Sequence, residues 1–198
     1  MSRPAAAAAP DSPGTPGAPD ALGRPARGSL FRIVFVCTGN ICRSPMAETV
    51  AGTLAGSALL GDRTPLGDLL EVSSAGTGPW HEGEPMDPRT AAALRRAGFQ
   101  PHAHVAHQFP TARKSGYDMM VALDRRHQQT LRSLGADPAR IFLLRSFDPA
   151  SGAAPDVPDP YYGDDVVFDE CLAMIERGCR GLIATLTERW SGGAVPAA

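Results

Sequence analysis

Between Phe31 and Trp190, short runs of β-branched and aromatic residues alternate with longer segments of helical periodicity, and few folds accept that alternation. Phe31-Arg32-Ile33-Val34-Phe35-Val36 reads as a buried strand. Ser44-Pro45-Met46-Ala47-Glu48 has the marks of a helix start, with Ser44 as cap, Pro45 at the first helical position and Glu48 in the first turn. That helix is expected to run to about Leu60. Strands are expected at Glu71 to Ala75, Tyr117 to Leu123 and Arg140 to Leu144. Helices are expected at Arg89 to Ala97, ended by Gly98, and at Asp124 to Leu134, ended by Gly135. A last helix runs from Asp164 to about Trp190, with Val167, Cys171, Met174, Ile175, Leu182 and Leu186 at helical spacing and an interruption expected near Gly178 and Gly181. Strands alternating with helices make an α/β fold, a parallel sheet covered on both faces. Ligands in such folds bind beyond the carboxyl ends of the strands, where the loop beginning at Cys37 sits.

The first 28 residues are of a different kind. They are built of Pro, Ala, Gly and small polar residues with one leucine and no aromatics, too little apolar surface to offset the entropy of ordering. Residues 1–28 are therefore expected to be a disordered tail, 29–192 one domain and 193–198 a short C-terminal tail. A net charge of −2 argues against a general nucleic-acid binder, and no run of about 18 apolar residues marks a membrane span. Four cysteines in 198 residues are not a secreted disulfide framework, and their spacing with the histidines matches no structural zinc site. A reducing, cytoplasmic setting is the expectation, with export by a route that uses no signal peptide left open.

The chemistry concentrates in Cys37-Thr38-Gly39-Asn40-Ile41-Cys42-Arg43-Ser44. A loop this tight between a strand and a helix start can turn successive backbone N–H groups toward one centre and make an anion cradle. Gly39 and Asn40 tolerate the left-handed backbone such a loop needs. Arg43 can close the ring with a bidentate fork onto two phosphate oxygens. The same positive field is expected to favour the Cys37 thiolate, with the Ser44 hydroxyl placed to bond the sulfur. The plain alternative is an inert buried cysteine beside a solvated arginine. The full string in its strand–loop–helix context makes that alternative weak.

Val36-Cys37-Thr38-Gly39-Asn40-Ile41-Cys42-Arg43-Ser44-Pro45-Met46-Ala47-Glu48 resembles the signature of the low-molecular-weight protein tyrosine phosphatases, in particular bacterial, actinobacterial-like members. Ser73-Ser74-Ala75-Gly76-Thr77, Trp80-His81, Pro85-Met86-Asp87-Pro88-Arg89, His104-Val105-Ala106-His107-Gln108 and Asp159-Pro160-Tyr161-Tyr162-Gly163 resemble its later blocks, in the family's order, over about Phe31 to Trp190. The resemblance implies a four-stranded parallel sheet flanked by helices on both faces, with the phosphate-binding loop (Thr38, Gly39, Asn40, Ile41, Cys42, Ser44) after the first strand.

From spacing alone, Asp159 is a turn residue before a proline; the resemblance makes it the general acid instead. Asp156, Asp164 and Asp165 are its neighbours and rivals. Trp80, Tyr161 and Tyr162 are candidate walls for a phenyl ring, against core packing for Trp80 and a surface role for the tyrosines. The resemblance also implies that Asn40, Ser74 and His104 support the loop, and that Cys42 lies close enough to Cys37 to capture it after oxidation. His81, His102, His107 and His127 receive no role from the sequence. The reading is a phosphotyrosine phosphatase with Cys37, Arg43 and Asp159 as catalytic groups, acting on phosphotyrosine proteins through a phosphocysteine without metal or cofactor. An arsenate reductase of related fold would need redox cysteines near the site, and only Cys171 and Cys179 remain for that. A non-catalytic phosphate or phosphoprotein sensor is the other alternative.

Overall fold

The computed structural model describes residues 22–153 and 155–192. Its main elements are β1 (Phe31–Cys37), α1 (Arg43–Ser57), β2 (Leu70–Gly76), α2 (Pro88–Arg96), β3 (Met119–Ala122), α3 (Arg125–Ser133), β4 (Ile141–Leu143) and α4 (Asp165–Gly192), with short 3₁₀ turns between them. The four strands pair in parallel in the order β2-β1-β3-β4. β1 is thus interior, and Cys37 leaves the sheet opposite Gly76 of β2. The fold class is the one expected, α/β with helices on both faces.

Alternation along β1 divides the core. Ile33, Phe35 and Cys37 face one side and pack with residues of α1, α2 and α4, among them Met46, Leu94, Phe168 and Leu182. Val34 and Val36 face the other side, with Met120, Leu131 and Ile141. A strand buried on both faces must be apolar throughout, which is why the run at 33–36 shows no polar alternation.

Three expectations are corrected. α1 begins at Arg43, so Ser44 lies inside the first turn and does not cap it; Cys42 holds the cap position without a side-chain bond. The same helix stops at Ser57, not Leu60, because the chain turns back through Leu60 N–H to the Thr64 carbonyl and Leu59 pairs with Pro65. α4 is unbroken through Gly178 and Gly181. These glycines mark close packing: a Cβ on Gly181 would lie 1.8 Å from the Phe147 carbonyl oxygen, and one on Gly178 2.7 Å from Leu144 Cγ.

The tail boundary also moves. Residues 1–21 and 193–198 lie outside the described residues, but order begins well before residue 29. Leu22 is buried in the main core, its carbonyl accepts from Trp190 Nε1 at 2.9 Å, and Arg24 pairs with Asp62 at 2.9 Å. The one leucine of that compositional zone is its anchor. Leu22→Ala should therefore destabilise the domain by roughly 2 kcal/mol or more. Denaturant unfolding checks this, and an unchanged midpoint would show that the segment contributes nothing.

Candidate active site

The loop from Cys37 to Arg43 is held by its carbonyls. Those of Cys37 and Thr38 accept from Thr77 and Gly78 N–H at 2.8 and 3.2 Å, that of Ile41 from Asp87 N–H at 2.9 Å, and that of Cys42 from Met46 N–H at 3.2 Å. The Asn40 carbonyl accepts from His104 Nε2 at 2.6 Å. A trans peptide points its N–H opposite to its C=O. Outward-bonded carbonyls therefore turn the N–H groups of Thr38, Gly39, Ile41, Cys42 and Arg43 to the inner side of the loop, where an oxyanion meets several donors at once.

Asn40 is the brace. It sits at φ 58°, in the left-handed region, and is fully buried. Its Nδ2 donates to Ser44 Oγ at 2.9 Å and Ser74 Oγ at 2.8 Å, and its Oδ1 accepts from His107 N–H at 3.0 Å. Gly39 is not left-handed, contrary to expectation. Its place is close-packed instead: a Cβ there would lie 2.7 Å from His81 Cδ2 and push aside that ring, which lies over the loop.

Cys37 Sγ is 3.0 Å from Ser44 Oγ. Arg43 is buried, and every bond it makes fixes its plane. Nη1 donates to Asp124 Oδ2 at 3.0 Å and the Val157 carbonyl at 3.1 Å; Nη2 donates to Thr38 Oγ1 at 3.1 Å and Asp159 Oδ2 at 2.6 Å. Asp159 also accepts from Tyr161 N–H through Oδ1 at 3.3 Å, so the turn reading and the site reading of this residue coincide. Its rivals are engaged elsewhere. Asp156 binds the Arg125 amide and guanidinium, Asp164 caps α4 through Val166 and Val167 N–H, and Asp165 lies 3.6 Å from Arg96.

A cleft of about 250 Å³ gathers Cys37, Thr38, Gly39, Ile41, Cys42 and Arg43 at its floor and Trp80, His81, Asp159, Tyr161 and Tyr162 at its walls. Trp80 is 67% exposed and Tyr162 97%, so core packing does not explain the tryptophan. Tyr161, at 37%, has its ring 5.0 Å from that of Tyr162 and 6.0 Å from that of His81. The low molecular weight phosphotyrosine protein phosphatase family matches residues 32–191. The chain belongs to that family. It is 49% identical over 168 residues to the low molecular weight protein-tyrosine-phosphatase of Streptomyces coelicolor, covering 83% of this chain and 98% of the relative. Among solved structures, YfkJ of Bacillus subtilis superposes with a TM-score of 0.71 at 36% identity, covering 82% of this chain and 98% of its own. YwlE of Bacillus subtilis, an arginine phosphatase solved as a cysteine-to-serine variant with a phosphorylated active-site serine, gives 0.65 at 27% identity and 78% and 95% coverage.

Several residues around this phosphatase-family loop carry structure that the sequence did not disclose. Asp87 caps α2, holds the Ile41 carbonyl through its amide and pairs with Arg89 at 2.7 Å. Arg89 donates to the Gly163 carbonyl and lies over the Phe168 ring at 4.5 Å, tying the Asp159 loop to α2. Asp124 caps α3 through His127 N–H while binding Arg43. His127 Nε2 is 2.9 Å from Thr38 Oγ1. Its Nδ1 is 3.0 Å from Asp124 Oδ1 but poorly aligned, and makes no hydrogen bond. Only the distance between Asp124 and the loop in sequence hid them; Asp124 itself was visible as a helix start.

Burial pushes His127 down to about 4, with nearby Arg43 acting in the same sense and Asp124 opposing. Burial also lowers His104. Burial and the Asp87 charge push the Cys42 thiol up to about 12. Since the unfolded chain protonates a histidine near 6.5, it binds a proton between about 6.5 and 4 that folded His127 refuses. Stability should fall as pH drops through that window and lose nothing further to this residue below it. His127→Gln should flatten the fall, as measured by denaturant midpoints from pH 7 to 4. An equally steep profile in the variant would place the proton uptake elsewhere.

Proposed function

We propose that the chain is a protein-tyrosine phosphatase that works through a phosphocysteine, with Cys37 as nucleophile, Arg43 as phosphate clamp and Asp159 as general acid and base. The observation that carries this is the convergence of all three on one cleft with aromatic walls. A phosphate monoester seats its oxygens on the inner loop amides and on Arg43 Nη2, the nitrogen now bound to Asp159. Cys37 sulfur attacks phosphorus, the bond to the phenolic oxygen breaks, and Asp159 gives that oxygen a proton. Water then attacks the phosphocysteine, Asp159 takes its proton, and the sulfur–phosphorus bond breaks.

Ser44 serves both steps. Asn40 donates to its oxygen, leaving one hydroxyl proton to share between Cys37 Sγ and the Ala75 carbonyl at 3.3 Å. A sulfur that carries charge draws that proton; a protonated thiol gives it up. YwlE, with its phosphorylated active-site serine in place of cysteine, supports a covalent step at this position. The exposed faces of Trp80 and Tyr162 favour a flat aryl ester.

The reductase alternative loses ground. Cys171 and Cys179 are buried on α4, contact the Pro158 and Ala47 carbonyls, and burial raises both thiols. Cys42 shares the cleft floor with Cys37 and remains the thiol for capturing an oxidised Cys37, although its raised protonation range slows that attack.

Cys37→Ser should abolish turnover of a phosphotyrosine peptide. Asp159→Asn should slow it by roughly 10² to 10⁴, with the loss shrinking as the leaving group becomes more acidic. Asp156→Asn should retain near-normal rates. Equal losses for Asp159→Asn across the leaving-group series would remove it as the acid, and faster turnover of a phosphoarginine peptide would move the substrate class.

A further inference from the structure

We propose that Glu48, His102 and His104 form a binding site for one divalent transition-metal ion, Zn²⁺ by ligand chemistry, seated against the back of the phosphate-binding loop. One carboxylate oxygen and one nitrogen from each imidazole lie within 4.8 Å of one another. Glu48 comes from α1, and both histidines from the segment that follows α2. Glu48 Oε1 is 3.3 Å from His102 Nε2, and its Oε2 is 3.9 Å from His104 Nδ1.

The hydrogen-bond pattern decides where the ring protons sit. Thr49 Oγ1 donates its only proton to the Pro45 carbonyl, so it accepts from His102 Nδ1 at 3.1 Å. His104 Nε2 lies 2.6 Å from the Asn40 carbonyl, an acceptor only, so it is the donor. Each ring therefore carries a proton on the nitrogen turned away from Glu48. A ring that carries only this one proton turns a lone pair toward the carboxylate. With both rings in that form three acceptors face one point, a set of ligands that a divalent ion fills. The outer partners, Thr49 for one ring and a backbone carbonyl for the other, are of the kind that orients metal-ligating histidines.

Two imidazoles and a carboxylate suit zinc and its neighbours rather than calcium or magnesium, and leave a fourth position for water. Ligands at zinc bond lengths sit about 3.4 Å apart in a tetrahedron, so the site must contract by roughly an ångström. His102 can supply that movement, since its side chain lies at the surface while that of His104 is buried. The ion would act on the loop by two routes. Glu48 Oε2 accepts from Ser74 Oγ at 2.6 Å, which in turn accepts from Asn40; His104 holds the Asn40 carbonyl directly. None of this depends on turnover, so failure here leaves the proposed activity standing.

The test uses the full chain carrying Cys37→Ser, which removes one of the two thiols at the loop floor and leaves Cys42, whose thiol burial pushes up to about 12. Zn²⁺ is titrated against a chromophoric chelator, and Co²⁺ spectra are recorded. One ion per chain is expected, with cobalt ligand-field bands and no thiolate charge-transfer band. Adding His102→Gln should weaken binding by roughly tenfold or more, and Glu48→Gln should do likewise. Zinc should raise the melting temperature of the Cys37→Ser chain but not of its His102→Gln derivative. A thiolate band, affinity unchanged by both substitutions, or no binding at micromolar zinc would each overturn the site, leaving plain histidine–glutamate ion pairs. Melting without metal shows whether each variant is folded, and an unfolded Glu48→Gln leaves His102→Gln to decide.

Discussion

The outward bonding of the loop carbonyls is the constraint on which the rest depends. A short turn from strand to helix has no intrinsic reason to face its amides inward; it does so because Thr77, Gly78, Asp87, Met46 and His104 take its carbonyls from outside. Two of those donors follow β2, the parallel neighbour of β1, and a third caps α2. Sheet order is thus part of the chemistry. β2 lies beside β1 with Cys37 opposite Gly76, so the residues just past β2 arrive where the loop needs donors. The cost of an Asn in the left-handed region is met by the same arrangement, because every polar atom of the Asn40 side chain has a partner.

Arg43 solves a harder problem. A guanidinium buried at the base of a cleft needs a fixed plane and compensating charge. Asp124 and the Val157 carbonyl hold one nitrogen from the rigid side, while Asp159 holds the other from a loop whose carboxylate is half exposed. The two contacts are therefore unequal: one is scaffold and the other is exchangeable.

Much of the fold was legible because its signals are local. Two-faced burial of β1 left an unbroken apolar run, and the glycines after α2 and α3 ended those helices. What failed was whatever depended on distant partners. Ser44 looked like a cap, but its hydroxyl is claimed by Cys37, Asn40 and Ala75. Gly178 and Gly181 looked like breaks, yet they admit Leu144 and Phe147 against an intact helix. Leu22 sat in a stretch whose average composition is that of a tail; one side chain with a pocket beside Trp190 outweighs the average. In the site, the loop itself could be read from its spacing, and Asp159 only through family likeness. Asp124 and His127 were out of reach because no local pattern says that the cap of α3 faces an arginine 81 residues earlier in the chain.

The charges around Arg43 also explain why one carboxylate must be mobile. Its guanidinium already faces two acidic groups, Asp124 and Asp159. A phosphate dianion brought to the same nitrogen adds two negative charges beside a carboxylate. Asp124 cannot withdraw, since it caps α3 through His127 N–H and would leave the helix end uncapped and Arg43 Nη1 with the Val157 carbonyl alone. Asp159 can, because its hold on the loop is a single long bond to Tyr161 N–H. Repulsion by the dianion therefore acts on the Asp159 contact and spares that of Asp124. With Asp159 as the acid, as proposed, phosphate binding thus releases from Arg43 the group that the departing oxygen requires. The ion pair at 2.6 Å between Arg43 and Asp159 is, on this argument, the contact that substrate replaces.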